Sequence, residues 1–205
     1  MKTQIIKLFY NNLFSQFTIH ELAKKTKTSY SYVHRQVNLL KEEEILIINQ
    51  QSNRKYCRPN YSHPEVKTLF VQVSNQITED FLKKREKIAL ITKRLFSILP
   101  KKTHYNLFSI VLFGSLVKGT DFKKSDMDLF VLVPSKKQYD EPIEMECVAL
   151  SRTFGIELNP IISEPKNLLT MLKDKDVNVG RELLKNKIIL FGAEKFWELV
   201  FEVIK

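Results

Sequence analysis

The sequence predicts an α+β chain of two domains joined by a helical stretch, and three observations carry that prediction. Apolar residues recur at helical spacing through the first forty residues, and an apolar–polar–apolar pattern follows them. A run without glycine then keeps helical spacing from Pro64 to Leu99. From about Leu107 the pattern changes to short apolar segments separated by turns, which is the mark of a small mixed sheet with helices against it. The expected boundaries are 1–62, 63–99 and 100–205.

Composition bounds the possibilities. The chain has 205 residues, 43% of them hydrophobic, enough to bury a core as one large or two small domains. The formal net charge of +10 favours an anionic partner such as nucleic acid or nucleotide, or else solvated lysines of a basic proteome. The opening MKTQIIKLFYNNLF has Lys7 within its apolar part and does not read as a leader. No apolar run approaches the roughly 20 residues that cross a bilayer, so no membrane partner is expected. Cys57 and Cys147 have no companion cysteines, which suits a reducing, cytoplasmic setting.

The elements follow in order. Ile5, Ile6, Leu8, Phe9 and Leu13 outline a first helix with one apolar face. Thr18 and Glu21 form a capping-box pattern, so a short helix is expected from Thr18 to Lys25. After the turn TKTS, Ser29 is placed to cap a second helix that buries Val33, Val37, Leu39 and Leu40. EILIINQQSNRKYCRPN then reads as a hairpin with Ser52, Asn53, Arg54 and Lys55 at its tip. Helix, turn, helix, hairpin resembles a winged helix-turn-helix domain. The resemblance implies that the second helix enters the DNA major groove while the wing touches phosphates. It makes Ser29, Tyr30, Ser31, His34, Arg35, Arg54 and Lys55 the candidate DNA contacts. Tyr30 and Tyr32 are not both expected outward. Residues 1–63 hold ten Lys and Arg against four Asp and Glu, so most of the net charge sits there. A protein-binding or dimerisation role for this domain is the other reading.

Pro64 suits the first turn of the next helix and Pro100 is expected to stop it, with a break near Ser74-Asn75. That helix either joins the domains or packs on a second copy in a homodimer.

In the second half, LFSIVLF, MDLFVLV and GIELNPII read as strands, and YDEPIEMECVALSRTF as a helix capped by Asp140, with Pro142 in its first turn and Gly155 beyond its end. Asp126 and Asp128 are two apart and project from one face of a strand. Two adjacent carboxylates repel, and a divalent cation between them keeps both ionised. Gly114-Ser115, after the preceding strand, lets backbone approach a phosphate and offers a hydroxyl and amides.

Gly114-Ser115, a ten-residue spacer, then Asp126-Met127-Asp128 resembles the signature of the DNA polymerase beta-like nucleotidyltransferases, in their minimal prokaryotic form; RELLKNKIILFG resembles the helix and strand that close such domains. The resemblance implies an NTP substrate, Mg²⁺ or Mn²⁺ on Asp126 and Asp128, and phosphate held by Gly114, Ser115 and Lys118. It implies transfer of a nucleoside monophosphate to an acceptor hydroxyl. It also implies a third acid on the next strand, for which Glu157 is the candidate, with Asn159 on the same face as the alternative. Lys118 stands where relatives often carry Arg and lacks the bidentate fork. Lys123, Lys124, Lys136 and Lys137 are expected to flank the site. The alternative is a transcription regulator whose nucleotidyltransferase-like domain binds nucleotide or mediates assembly without turnover.

Overall fold

A computed structural model describes residues 1–119, 126–174 and 176–204. The chain divides into two compact units, Met1–Val73 and Ser74–Val203.

The first unit opens with α1 (Lys2–Phe9), followed by a two-residue strand β1 (Phe17–Thr18), α2 (Ile19–Thr26) and α3 (Tyr30–Glu42). Strands β2 (Leu46–Gln51) and β3 (Arg54–Pro59) pair from Leu46↔Pro59 to Gln51↔Arg54, which leaves Ser52-Asn53 as the turn. Ser52 takes φ 53°, the left-handed conformation such a two-residue turn requires. β1 adds to the other edge of β3, giving the order β1-β3-β2. The capping box is formed: Glu21 N–H donates to Thr18 Oγ1 at 3.3 Å and Thr18 N–H donates to Glu21 Oε2 at 2.7 Å. Ser29 occupies the N-cap position of α3 but makes no capping hydrogen bond. Val33, Val37 and Leu40 are buried, whereas Leu39 is 45% exposed. Val33, Val37 and Leu40 follow a 4-3 spacing along one helix face, and Leu39 lies about 100° off it.

Two helices, α4 (Pro64–Lys83) and α5 (Glu86–Lys102), follow. The interruption lies at Lys84-Arg85 and not near Ser74-Asn75. Ser74 instead is buried and its hydroxyl accepts from Trp197 Nε1–H at 2.8 Å, so a polar residue that looks like a breaker is satisfied inside the helix. Pro100 lies within the last turn of α5, which continues two residues beyond it.

The second unit is built on a mixed sheet of β4 (Ser109–Phe113), β5 (Met127–Leu132), β6 (Leu158–Ser163) and β7 (Ile188–Phe191), in the order β6-β5-β4-β7. β5 is antiparallel to β4 and parallel to β6, and β7 is antiparallel to β4. One face of this sheet is covered by α5 and by α7 (Lys136–Phe154). Ile110, Leu112, Leu129 and Val131 meet Ile91, Leu95, Ile143 and Cys147 there in a continuous apolar core. α7 begins at Lys136, earlier than the sequence suggested, so Asp140 and Pro142 lie inside it and Asp140 is not a cap. Gly155 ends it with φ 59° as expected. A one-turn helix α6 (Ser115–Lys118) follows β4, and α8 (Pro165–Lys173), α9 (Val179–Lys185) and α10 (Ala193–Ile204) complete the unit, with Phe196 and Trp197 in its core.

Candidate nucleotide site

The alternation of a strand decides where the acids go. Leu129 and Val131 of β5 face the core, so Asp128, and Asp126 just before the strand, face the opposite side. In the ladder with β4, Asp128 stands opposite Phe113. The residue after Phe113 is Gly114, and this brings the glycine turn and the acid pair together.

Gly114 has φ 76° and ψ −154°, a backbone region essentially restricted to glycine. It has a second constraint. A Cβ built on it would overlap Oδ2 of Asp128 and sit 3.0 Å from its Cγ. The carboxylate therefore rests in the space that the missing side chain leaves. α6 starts directly after, and its first i→i+4 bond is Lys118 N–H to Gly114 C=O at 3.2 Å. The amides of the preceding residues in that turn have no intrahelical acceptor, so they are oriented to meet an acceptor from outside. Gly119, at φ 71°, closes the turn by donating to Ser115 C=O at 3.0 Å.

The electrostatics match this crowding. Partial burial pushes the Asp128 carboxyl above its ordinary range. The Asn159 carboxamide lies within hydrogen-bonding reach and counters the rise, and the neighbouring Asp126 charge adds to it. Two carboxylates on one face, one seated on Gly114, fit a hard divalent cation that takes its remaining ligands from phosphate and water. Among the described residues, no three His, Cys, Asp or Glu side chains converge to hold a metal.

Glu157 lies one residue before β6 and is exposed; its C=O accepts from Met127 N–H at 2.7 Å, which places its backbone beside Asp126. Asn159 lies directly opposite Asp128 in the parallel ladder. Lys118 Nζ is paired with Glu182 Oε1 of α9 at 2.9 Å, and Asn186 Nδ2 donates to the same carboxylate at 3.2 Å. Sequence reading passed over Glu182, 64 positions from its partner, because nothing local marks it. Lys136 does not flank the site. Its amide donates to Glu164 Oε1 at 3.0 Å, beyond the C-terminal ends of β5 and β6, a strand length from Asp128; Lys137 follows it in α7. Lys123 and Lys124 lie outside the described residues.

In the first unit, Ser29, Tyr30, Ser31, Arg35, Arg54 and Lys55 are exposed and His34 is half-buried. Tyr30 and Tyr32 both reach solvent, 52% and 38% exposed. Tyr30 lies 5.9 Å from the His34 ring, and the Arg35 guanidinium lies 5.4 Å from the Tyr32 ring. The helix geometry lets both rings turn outward because each has a polar neighbour to lie on.

No helix among the described residues is long and apolar enough to cross a membrane. The model of the family described as "Polymerase beta, Nucleotidyltransferase" matches residues 93–195. A relative from Methanocaldococcus jannaschii, named "Putative protein adenylyltransferase", is 34% identical over 104 residues, which are 49% of this chain and 69% of the relative. A solved structure described as a toxin-antitoxin with AMP-PNP aligns over 55% of this chain and 83% of its own, at 17% identity and a TM-score of 0.38, a likeness too distant to carry function.

Proposed function

The chain belongs to the polymerase beta nucleotidyltransferase family, and on that premise we propose that it transfers a nucleoside monophosphate from an NTP to a hydroxyl of an acceptor. In the reaction the acceptor oxygen bonds to the α-phosphorus, the bond from that phosphorus to the β-phosphate oxygen breaks, the hydroxyl proton leaves and pyrophosphate departs. The observation that supports this reading is the seating of Asp128 against Gly114, which brings the acid and the glycine turn side by side.

Asp126 and Asp128 would hold Mg²⁺ or Mn²⁺, which when bound would supply charge neutralisation to the phosphates. Gly114 and Ser115 present amides and a hydroxyl to the triphosphate. Lys118 exchanges its Glu182 partner for a phosphate oxygen. Glu157, exposed and with its backbone beside Asp126, would assist the acceptor from the strand entrance. The name of the Methanocaldococcus relative makes ATP the first nucleotide to try and a protein hydroxyl the first acceptor. The first unit acts as a winged helix that binds duplex DNA; its exposed Arg35, Arg54 and Lys55 and its share of the positive charge support that reading. The two buried, unpaired cysteines agree with a cytoplasmic setting.

The test is incubation with each α-labelled NTP, Mg²⁺ or Mn²⁺, and RNA, protein or small-molecule acceptors, beside Asp126→Ala/Asp128→Ala. Metal-dependent label transfer that the double variant loses is expected. Equal label with both proteins, or none with either, overturns the proposal. The second reading, a regulator that binds nucleotide without turnover, is favoured by the neutral Asn159 opposite Asp128. It predicts nucleotide binding without transfer, and a change in DNA affinity when nucleotide is present.

A further inference from the structure

Charge is unevenly shared within the second unit. Residues 83–102 hold eight Lys and Arg against one Glu, whereas the rest of residues 74–203 holds 13 against 17. The positive surplus of the unit therefore sits on α5 and the junction before it. Lys83 and Lys102 are ion-paired, with Glu79 at 2.7 Å and Glu146 at 3.0 Å, and the Arg85 guanidinium lies 4.0 Å from the Phe81 ring. Lys84, Lys87, Lys93, Arg94 and Lys101 are exposed and pair with no acid among the described residues.

The helix repeat decides where these cations point. Ile88, Ile91, Leu95 and Leu99 pack into the core. At about 100° per residue, Lys87, Lys93, Arg94 and Lys101 fall within an arc of about 120° turned away from that side. The row runs about 21 Å along the helix, at a rise of about 1.5 Å per residue. Glu86 is the one acid of α5. A face that merely keeps a helix in water mixes both signs, as α7 does with Lys137, Glu141, Glu144 and Arg152. A row of one sign repels itself and is stabilised by a polyanion. Two neighbours favour a single strand of nucleic acid over a duplex. Phe96 and Phe191, both exposed with rings 6.0 Å apart, offer faces on which bases stack. At the end of the row a groove of about 360 Å³ lies between α5 and α7, with Pro142 and Met145 as apolar wall and Lys101 and His104 beside Glu141 and Glu146. A duplex, whose bases are stacked on one another, has no use for either feature. An anionic bilayer asks for several large apolar residues beside the cations, and within the arc Leu90 alone is one.

We propose that the exposed face of α5 is a docking surface for a single strand of nucleic acid, with Lys87, Lys93, Arg94 and Lys101 on its phosphates and bases against Phe96 and the groove. α5 covers the face of the sheet opposite Asp128, so this surface is separate from the acid site and holds whether or not that site turns over.

Fluorescence anisotropy of a labelled single strand of about 20 nucleotides, on the full chain over a series of salt concentrations, tests the proposal. Lys93→Ala/Arg94→Ala/Lys101→Ala changes exposed helical positions and is expected to weaken binding about tenfold or more at low salt. It should also reduce the slope of log K against log salt by about 2, since each phosphate contact on a single strand contributes about 0.7. Lys166→Ala/Lys173→Ala/Lys185→Ala removes the same charge from exposed positions of α8 and α9 and is expected to leave the slope within about 0.5 of wild type. Equal losses in the two triple variants mean that net charge alone attracts the strand, and they overturn the proposal. So does an α5 variant that binds the strand like wild type, or one that loses only duplex DNA or phosphatidylserine vesicles, run as the other probes. Should the α5 triple variant fail to fold by circular dichroism, Lys93→Ala and Lys101→Ala taken singly should each lower the slope by about 0.7, and an unchanged slope in both overturns the proposal.

Discussion

Replacing Gly114 by alanine should damage both the turn and the acid site beside it. Two costs combine. The backbone at φ 76° and ψ −154° costs a residue with a Cβ about 1–3 kcal/mol. The new methyl also overlaps Oδ2 of Asp128 and crowds its Cγ at 3.0 Å, so the carboxylate or the turn must shift by about an ångström, an overpacking cost of about 1–3 kcal/mol. The sum, about 2–6 kcal/mol, corresponds to a melting temperature lower by roughly 5–20 °C for a chain of this size. Function should suffer further, since an ångström of misplacement at a site typically costs about 10²-fold. Differential scanning calorimetry reads the first effect, and titration with Mn²⁺ and α,β-methylene-ATP reads the second. Gly155→Ala is the control. It also places alanine at positive φ, 59°, but nothing lies within 4 Å of the added methyl. It should cost about 1–2 kcal/mol and leave nucleotide affinity unchanged. If Gly114→Ala melts within about 2 °C of wild type and binds nucleotide normally, the seating of Asp128 on Gly114 is wrong.

Other outcomes follow from the same geometry. Glu182→Gln frees Lys118 from its 2.9 Å ion pair and should tighten nucleotide binding about two- to five-fold, the modest gain set by the partial exposure of both groups; unchanged affinity would remove Lys118 from the phosphate site. Lys187 is fully buried, donates to Leu184 C=O at 3.1 Å and lies 4.9 Å from the Trp197 ring, and burial pulls its ammonium down to about 7. Its folded pKa is below its unfolded one, so the unfolded chain holds the proton more tightly between about 7 and 10.5, and stability should rise with pH across that window. Lys187→Met should flatten that rise in a series of thermal melts. Arg54→Ala/Lys55→Ala at the hairpin should weaken duplex DNA binding and reduce the slope of log K against log salt by up to about 2; an unchanged slope would take the wing off the phosphates.

Local chemistry explains why part of this protein is readable in its sequence. The capping box of Thr18 and Glu21 is decided by neighbours within three residues and forms where expected; the hairpin forms as well, but its turn is only Ser52-Asn53, and Arg54 and Lys55, expected at the tip, are paired in β3. The acid pair is equally local: a strand has period two, so Asp126 and Asp128 share a face whatever surrounds them. Gly114-Ser115 ends one strand and Asp126 precedes the next, and an antiparallel pairing of consecutive strands returns the second to the end of the first.

What the sequence could not decide involves partners brought together by crossover or by helix packing. Asn159 lies beside Asp128 only because β6 runs parallel to β5 after α7 crosses the sheet, and its register is fixed by core packing on the opposite face, where Met127 and Leu158 are buried. Lys118 meets Glu182 because α9 is placed against the turn, and Lys136 leaves the site because six residues of β5 carry it to the far end of the sheet. A motif thus states which groups a pocket holds along one stretch of chain. Which charges oppose them across the sheet is set by tertiary register, because a ladder relates residues by position in space and a shift of one residue would turn every side chain to the other face.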